Sequence, residues 1–215
     1  MYKHFFKRFI DIICGLIGCL GFLIAFIFVA PVIYFTDRGP VFYNAERRGK
    51  NGKTFKMYKF RSMMVNAPDI RNADGSTFNS ENDPRVTKIG KIMRKTSIDE
   101  LPQFINVLKG DMSMIGPRPT LVKKPFSECD PKTIKRYDVR PGITGYSQAY
   151  FRNSITQDEK FMHDCYYVEN LTIMMDVKIV FKTIASVLLR KNINVEKSLN
   201  NKVQAPPKEK VGADK

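Results

Sequence analysis

The chain has 215 residues, and its 36 Lys and Arg against 21 Asp and Glu give a formal net charge of +15. That excess favours polyanionic partners, whether nucleic acid, an anionic membrane surface or phosphorylated substrates, and does not choose among them. The four cysteines form no CxxC pair and the two histidines, His4 and His163, lie far apart, so the pattern argues against a disulfide framework and a zinc site. Any metal is expected to be an oxygen-liganded ion such as Mg²⁺.

The N-terminus predicts a membrane-associated helix. After a basic start and Asp11, residues 12–35 carry no charge, a length that suffices to cross a hydrocarbon core of about 30 Å. Pro31 predicts that the helix breaks or bends at Ala30-Pro31, because proline lacks the amide proton that a helix interior needs. Lys and Arg flank the apolar run on both sides, which places both flanks in the cytoplasm and favours a re-entrant helix. The alternative is an ordinary span with a proline kink.

The segment after the membrane helix predicts a β-hairpin, a surface loop and a short helix. A strand at 41–43 and a returning strand at 54–61 flank an Asn-Gly turn. Lys59 lies on the returning strand, where a solvated basic face is the alternative to a functional role. The polar residues 66–84 predict a mobile surface loop. Residues 88–95 predict a short helix with a basic face.

Two adjacent carboxylates, Asp99 and Glu100, stand before an apolar run. In the structural interpretation, Ser97 and Glu100 form a capping box at the start of a helix. Pro102 opposes this, because a proline at the fifth helical position clashes with the preceding turn. A helix that begins at Asp99 and ends at Gly110 avoids the clash. A carboxylate at a helix N-terminus stays ionised beside amides that favour phosphate, so Asp99 is a candidate phosphoryl acceptor.

Two proline-containing loops follow this stretch. In Gly116-Pro117-Arg118-Pro119 an arginine stands between two prolines, which restrict the backbone on both sides. A guanidinium held in this way suits bidentate phosphate binding. The alternative is a turn whose arginine faces solvent. The second loop covers residues 140–145.

The C-terminal part predicts two helices and a tail. Residues 158–170 and 171–191 both have helical patterns, and the second is amphipathic with a basic polar side. A helix of that kind can lie in the plane of a membrane interface. The alternative is a helix that covers the core. Residues 192–215 are polar with few large apolar side chains, which predicts disorder.

Taken together, these segments resemble the small monotopic polyprenyl-phosphate phosphoglycosyltransferases, also called bacterial sugar transferases. The resemblance covers about residues 1–190. The matching segments, in the family's order, are the basic N-terminus with its Pro-broken apolar helix, Tyr58-Lys59-Phe60-Arg61-Ser62-Met63, Asp99-Glu100-Leu101-Pro102-Gln103, Asn106-Val107-Leu108-Lys109-Gly110-Asp111-Met112-Ser113, Gly116-Pro117-Arg118-Pro119 and Val139-Arg140-Pro141-Gly142-Ile143-Thr144-Gly145. One departure is Ala30 before Pro31, where the family often has serine.

The resemblance implies transfer of a sugar-1-phosphate from a UDP-sugar to undecaprenyl phosphate with release of UMP. This undecaprenyl-phosphate sugar phosphotransferase activity would start a membrane-bound glycan such as an exopolysaccharide. By the resemblance, Asp99 attacks the sugar-linked phosphate and forms a covalent phosphosugar intermediate, Glu100 completes the catalytic dyad, and Asp99 helps to hold Mg²⁺. The residues that match substrate contacts are Lys59, Arg94, Pro117, Arg118, Pro119 and Gln148.

The expected fold is α/β and helix-rich. A re-entrant membrane helix covers residues 1–36, a single cytoplasmic catalytic domain on interfacial amphipathic helices covers residues 37–191, and a disordered polar tail covers residues 192–215. The expected location is the cytoplasmic face of a bacterial inner membrane, in contact with membrane lipid. An alternative of another class is a non-catalytic, membrane-tethered basic protein that binds nucleic acid or anionic lipid. The sequence contains no recognisable nucleic-acid-binding module, so a nucleic-acid partner is not expected.

Overall fold

The computed structural model describes residues 2–70, 78, 80, 83–152 and 154–188. Within these residues the chain forms α-helices and short strands, which confirms a mixed, helix-rich fold. The helices are α1 Lys7–Asp37, α2 Lys88–Thr96, α3 Gln103–Lys109, α4 Tyr146–Tyr150, α5 Gln157–Glu169 and α6 Ile173–Leu188. The strands are β1 Phe42–Arg48, β2 Thr54–Phe60, β3 Ser113–Ile115, β4 Thr120–Leu121 and β5 Gly142–Thr144. Most of the predicted loop at 66–84 and all of the predicted tail at 192–215 lie outside the described residues.

The predicted hairpin is confirmed. Strands β1 and β2 pair antiparallel, with Phe42 opposite Phe60. Their connection includes Asn51 and Gly52, whose φ angles of 54° and 76° lie in the left-handed region that Asn and Gly adopt most readily. Strand β4 pairs with the other edge of β1, which gives a three-stranded sheet in the order β2-β1-β4.

A second, two-stranded parallel sheet joins the two proline-containing loops. Ser113 of β3 lies opposite Gly142 of β5. Just beyond the strands, the Gly116 amide donates to the Thr144 carbonyl oxygen over 2.9 Å. A side chain at Gly142 would collide with the backbone of Gly116, so glycine is what lets the two loops approach this closely. The loops that are separate in the sequence therefore form one rigid unit.

Strand β2 is buried on both faces. On one face Phe60 stacks against Phe42 and Phe26, with ring centroids 5.5 and 6.3 Å apart, and Phe26 belongs to α1. On the other face Met57 packs with Val107 of α3. Each such side chain contributes roughly 1.5–3 kcal/mol through its burial. Strand β2 is therefore held between α1 and α3.

Helix α1 is long and has two different sides. At about 1.5 Å per residue, its 31 residues extend about 45 Å. One side packs on the rest of the chain, and its buried residues are Lys7, Asp11, Gly15, Phe22, Ala30 and Ile33. The other side exposes large apolar residues, among them Ile17, Leu20, Ile24, Ile27 and Phe28. By length and composition, α1 is a candidate membrane helix.

Helix α1 does not end at Pro31. It continues beyond the proline to Asp37, so the predicted break at Ala30-Pro31 is wrong, while the bend named with it stays a prediction. The physical reason is tertiary packing. Ala30 and Ile33 are buried, and Arg61 binds both carboxylate oxygens of Asp37 at 2.5 and 2.6 Å. These contacts stabilise the helix at the position where proline removes one backbone hydrogen bond. They do so without a serine hydroxyl at the residue before Pro31.

Both ends of α1 are attached to the same globular body. Near its start, the Asp11 carboxylate accepts hydrogen bonds from the Ser113 hydroxyl at 2.9 Å and from the Met114 amide at 2.8 Å. At its end, Asp37 forms the bidentate ion pair with Arg61. The helix therefore runs along the body over most of its length and does not project away from it.

Helix α6 presents an apolar surface to the outside. Ile179 and Asp176 point inward and are buried. The exposed apolar residues are Ile173, Met174, Val177, Val180, Phe181 and Ile184. The predicted apolar side is therefore confirmed, and the helix also covers part of the core through Ile179 on its opposite side. Its location in a membrane interface stays a prediction. Asp176 also joins α6 to α1 through an ion pair with Lys7 at 2.6 Å.

Candidate active site

The carboxylate pair lies on a short 3₁₀ turn and not at the start of an α-helix. The turn is Ile98–Glu100, and α3 begins at Gln103 after Pro102. Backbone hydrogen bonds of 3.1 Å to the residue three positions earlier close this turn. The predicted helix start at Asp99 is therefore wrong. Pro102 offers no amide proton to an α-helical turn, and the backbone tightens into a 3₁₀ turn ahead of it.

The capping box, the alternative interpretation of Ser97 and Glu100, is also absent. Ser97 has a left-handed backbone (φ 60°), and its side chain caps no helix. Glu100 instead accepts a hydrogen bond and ion pair from the Lys59 ammonium at 2.5 Å. The predicted end of the helix at Gly110 is confirmed, since Gly110 is the C-cap with a φ of 89°. Glu100 therefore does not act as a helix cap and instead contacts Lys59.

Three cations from different parts of the chain surround the carboxylate pair. Lys59 comes from β2, Arg94 from α2 and Arg118 from the loop after β3. The Arg118 guanidinium lies 3.8 Å from Glu100, and Arg94 Nε donates to Ser62 Oγ at 2.9 Å. The Lys59 side chain is 16% exposed and paired, so the solvated-face alternative for it is wrong. Three positive groups against two carboxylates leave the positive excess that phosphate groups require.

Burial sets the protonation of Asp99. Withdrawal from water raises the pKa of Asp99 to about 6, and the neighbouring charge of Glu100 adds to the increase. Lys59 and Arg94 oppose the increase because they favour the ionised form. Asp99 is therefore ionised at neutral pH by a modest margin, and the predicted helix-terminus effect is not what keeps it charged.

The pKa of Glu100 is shifted in the opposite direction, to below its ordinary value. Burial alone would raise its pKa, but Lys59 and Arg118, together with a hydrogen bond from Gln103, lower the pKa of Glu100 to about 2. At neutral pH Glu100 is a fixed negative charge that holds two cations. Two carboxylates whose pKa values are driven apart are typical of a site with two chemical roles. Asp99 suits the nucleophile, and Glu100 suits a group that positions others.

The backbone of the Gly-Pro-Arg-Pro loop is held by contacts with the interior of the protein. Pro117 is buried and Pro119 half-buried, whereas the Arg118 side chain is 57% exposed. The Arg118 carbonyl oxygen accepts a hydrogen bond of 2.9 Å from Arg136, which is itself paired with buried Asp164 at 2.6 Å. The backbone is fixed while the guanidinium stays open to solvent next to the carboxylates. This arrangement leaves the guanidinium available to an anionic ligand.

The hydrogen bond described for Gln148 involves no member of this cluster. Its side-chain amide donates to the Ile143 carbonyl oxygen at 3.2 Å, within the unit formed by β5 and α4. The structure brings Lys59, Arg94 and Arg118 to the carboxylates, while the substrate-binding role of Gln148 stays a prediction from the resemblance.

Asn106 has a role that sequence reasoning missed. It is fully buried, its Oδ1 accepts a hydrogen bond from the Tyr58 amide at 2.9 Å, and its Nδ2 donates to the Lys56 carbonyl oxygen at 2.8 Å. Asn106 therefore fixes α3 to β2 beside Lys59. The one available signal was a lone amide side chain within the apolar run at 104–108.

The described residues contain no cluster of three or more His, Cys, Asp or Glu side chains that could hold a metal ion. Mg²⁺ nevertheless fits the chemistry of the pair, because this ion commonly takes one or two carboxylates and completes its shell with water and substrate phosphate oxygens. Asp99 is the better ligand of the two, since Glu100 is already bound to Lys59.

The chain matches known proteins over most of its length. The model of the family described as bacterial sugar transferase matches residues 2–190. The galactosyl transferase CpsE of Streptococcus agalactiae is 45% identical over 197 residues, which cover 87% of this chain and 43% of that protein. The UDP-N-acetylgalactosamine-undecaprenyl-phosphate N-acetylgalactosaminephosphotransferase of Aeromonas hydrophila is 43% identical over 190 residues, 86% of this chain and 44% of that protein. The exopolysaccharide production protein ExoY of Rhizobium meliloti is 37% identical over 194 residues, 85% of each chain.

The chain spans less than half the length of the first two relatives and most of the third. The range matched by the family contains the carboxylate pair and the three cations around it. It also contains α1 and all of the other described elements. The chain belongs to the bacterial sugar transferase family.

Proposed function

We propose that this chain transfers a sugar-1-phosphate from a UDP-sugar to undecaprenyl phosphate and releases UMP, as the first membrane step in building a glycan. The observation that carries the proposal is the buried Asp99–Glu100 pair among three cations in a chain of this family. The substrate classes come from the relatives. The name of the Aeromonas protein specifies a UDP-sugar and undecaprenyl phosphate, and that of ExoY specifies exopolysaccharide production.

In the first step, a carboxylate oxygen of Asp99 attacks the phosphorus that carries the sugar. A bond forms between this oxygen and the phosphorus, the bond from the phosphorus to the bridging oxygen of the diphosphate breaks, and UMP leaves with the electron pair. Asp99 needs no base, because its carboxylate is ionised above its pKa of about 6. Arg94 and Arg118 supply positive charge where negative charge develops on the phosphates.

In the second step, a phosphate oxygen of undecaprenyl phosphate attacks the same phosphorus. The bond between that phosphorus and the Asp99 oxygen breaks, which restores the carboxylate and completes a lipid-linked diphosphosugar. Neither step consumes an oxidant or a reductant. Glu100 stays ionised throughout and holds Lys59 and Arg118 in place, so we assign it as a positioning residue.

We further propose that Mg²⁺ accompanies the UDP-sugar. When bound, this ion would offset the charge of the diphosphate while an anionic carboxylate approaches it. Asp99 would be its protein ligand, and phosphate oxygens and water would complete the shell.

We place the chain at the cytoplasmic face of a bacterial inner membrane, with α1 entering the membrane from that face and not crossing it. Support comes from α1, whose two ends contact the same globular body and whose flanks are both basic. The exposed apolar faces of α1 and α6 are surfaces that membrane lipid would cover. This placement brings the site within reach of a lipid phosphate.

The reaction can be tested with the purified full-length chain, Mg²⁺, undecaprenyl phosphate and a panel of UDP-sugars, with UMP release as the measurement. We expect release with at least one sugar. Asp99→Asn should abolish it, because an amide does not attack phosphorus. Asp158→Asn changes an exposed carboxylate at the start of α5 and should keep wild-type activity. Full activity of the Asp99→Asn protein would contradict the role of Asp99.

The covalent intermediate has its own test. Without undecaprenyl phosphate, the wild-type chain should release stoichiometric UMP, and its intact mass should rise by one sugar phosphate. The Asp99→Asn chain should show neither change. An unchanged mass in a wild-type chain that turns over with the acceptor present would rule out the two-step mechanism.

A further inference from the structure

A cavity between α4, α5 and α6 shares no lining residue with the carboxylate site. Its volume is about 290 Å³, and its walls include Tyr146, Tyr150, Tyr166, Met174 and Lys178. The tyrosines form one cluster, because the ring centroid of Tyr146 lies 4.7 Å from that of Tyr150 and 5.5 Å from that of Tyr166. The cavity thus combines aromatic rings with a lysine.

The cavity borders the outward apolar face of α6. Met174 lines it and is also 60% exposed as a member of that face. At about 100° per residue, Lys178 and Lys182 fall on the flank of α6 between the apolar face and the buried Ile179. When an amphipathic helix lies in the interface plane, its flanks are at the level of the lipid headgroups. The cavity would therefore open at the depth of lipid phosphate.

The charge of the cavity suits an anion. Lys178 lines the wall, and the Lys182 ammonium lies 5.6 Å from the ring centroid of Tyr150. Both lysines are exposed, and neither takes part in the ion pairs found among the described residues. Asp176, the acidic residue on the same helix, is occupied by Lys7 on the inner side. Two unpaired ammonium groups next to tyrosines and an apolar face match a phosphate that carries acyl chains.

We propose that this cavity binds the headgroup phosphate of an anionic phospholipid. Lys178 and Lys182 would contact the phosphate, and an acyl chain would lie along the apolar face of α6 beside Met174. Tyrosine is favoured at membrane interfaces, where its ring contacts acyl chains and its hydroxyl stays hydrated. One lipid held here would fix the depth and rotation of α6, and hence of the attached catalytic body, at the membrane surface.

The chain contains no tryptophan, so Tyr150→Trp places a single fluorescent reporter in the cavity wall. The full-length protein would be embedded in lipid nanodiscs that contain brominated phosphatidylglycerol or brominated phosphatidylcholine at the same mole fraction. We expect stronger quenching by phosphatidylglycerol. Lys178→Gln combined with Lys182→Gln should remove this preference, with about a fivefold loss of relative affinity for each lysine.

Lys50→Gln combined with Lys53→Gln removes the same charge from the exposed hairpin turn and should keep the preference. Tyr166→Trp is a second reporter in the same wall, should the first variant fold poorly. Equal quenching by the two lipids, or an equal loss in both double variants, would overturn the proposal. Selective displacement of phosphatidylglycerol by a low mole fraction of undecaprenyl phosphate would reassign the cavity to the acceptor and also overturn it. The measurement needs no turnover, so its outcome is independent of the reaction proposed at Asp99.

Discussion

Asp99 and Glu100 are adjacent in the chain but have different surroundings. Among the described ion pairs within 4 Å, Glu100 contacts Lys59 and Arg118, and Asp99 takes part in none. A carboxylate bound to an ammonium has its lone pairs engaged, whereas one that is buried beside cations without contacting them keeps an oxygen available for phosphorus. This difference in contacts, and not the order of the two residues in the sequence, is why we propose Asp99 as the nucleophile and Glu100 as the positioning group.

The raised pKa of Asp99 predicts an acid limit to the first step. Because the proposed mechanism uses the ionised carboxylate as the nucleophile, kcat/KM for UMP release without acceptor, which reports the free enzyme, should be level above the pKa of about 6 and fall about tenfold per pH unit below it. The diphosphate of a UDP-sugar has no group that titrates near this pH. The fall in rate on the acid side of the profile, its acid limb, therefore comes from a group of the protein. Rapid-mixing measurements of UMP release across mildly acidic and neutral pH would test this.

Glu100→Gln and Lys59→Met are matched variants for that experiment. Glu100 raises the pKa of Asp99 through its negative charge, so its removal should move the acid limb to lower pH even where the rate falls. Lys59 lowers the same pKa, so its removal should move the limb to higher pH. Shifts in the same direction, or no shift in either variant, would show that the limb does not belong to Asp99.

At the scale of elements, the contact between α1 and α3 depends on two glycines. Gly15 lies against Leu108, and Gly18 lies against the Phe104 ring. Helix α3 follows directly on the turn that carries the carboxylates. Close packing of α1 on α3 therefore supports the turn that carries the carboxylates as well as α1 itself.

Gly18→Ala should destabilise the protein, because its methyl group would overlap the Phe104 ring and overpacking typically costs about 1–3 kcal/mol. Gly21→Ala is the control on the same helix, since no atom lies within 4 Å of the position its methyl group would take. Alanine also favours a helix over glycine by roughly 0.5–1 kcal/mol. Thermal unfolding in detergent, followed by circular dichroism, should give a lower Tm for Gly18→Ala and an equal or higher Tm for Gly21→Ala. Equal midpoints in the two variants would argue against the packing described for α1.

Elements that depend on local signals could be predicted from the sequence, and those that depend on distant contacts could not. The hairpin follows from Asn51-Gly52 between two apolar strands, and the end of α3 follows from Gly110. The two prolines affect their helices in different ways. At Pro31, α1 continues because contacts with Arg61 and its neighbours stabilise it. At Pro102, α3 begins only after a 3₁₀ turn.

At the scale of the whole molecule, the site is assembled from segments that the sequence keeps apart. The resemblance identifies Lys59, Arg94 and Arg118, but no local pattern states that they surround one carboxylate pair. Two non-local features bring them together: Asn106 ties α3 to β2, and the parallel pairing of β3 with β5 fixes the loop that carries Arg118. Such contacts join residues tens of positions apart, so propensity and periodicity do not report them.

The attachment of α1 predicts the topology of the chain. Asp11 and Asp37 are separated by about 40 Å of helix at 1.5 Å per residue, which exceeds a hydrocarbon core of about 30 Å, yet both contact the same globular body. If α1 crossed the membrane, one of these contacts would have to break or the charged body would have to enter the bilayer.

Lys3 precedes α1 in the chain and Lys50 follows it, and both should therefore lie in the cytoplasm. The test replaces Cys14, Cys19, Cys129 and Cys165 by serine or alanine and introduces Lys3→Cys or Lys50→Cys singly. A membrane-impermeant maleimide should label neither site in intact cells and both sites after lysis. Labelling of Lys3→Cys alone from outside would mean that α1 spans the membrane and that the contact of Asp11 with Ser113 does not form there. Labelling of Lys50→Cys from outside would contradict the proposed cytoplasmic location of the globular body and the proposed UDP-sugar donor.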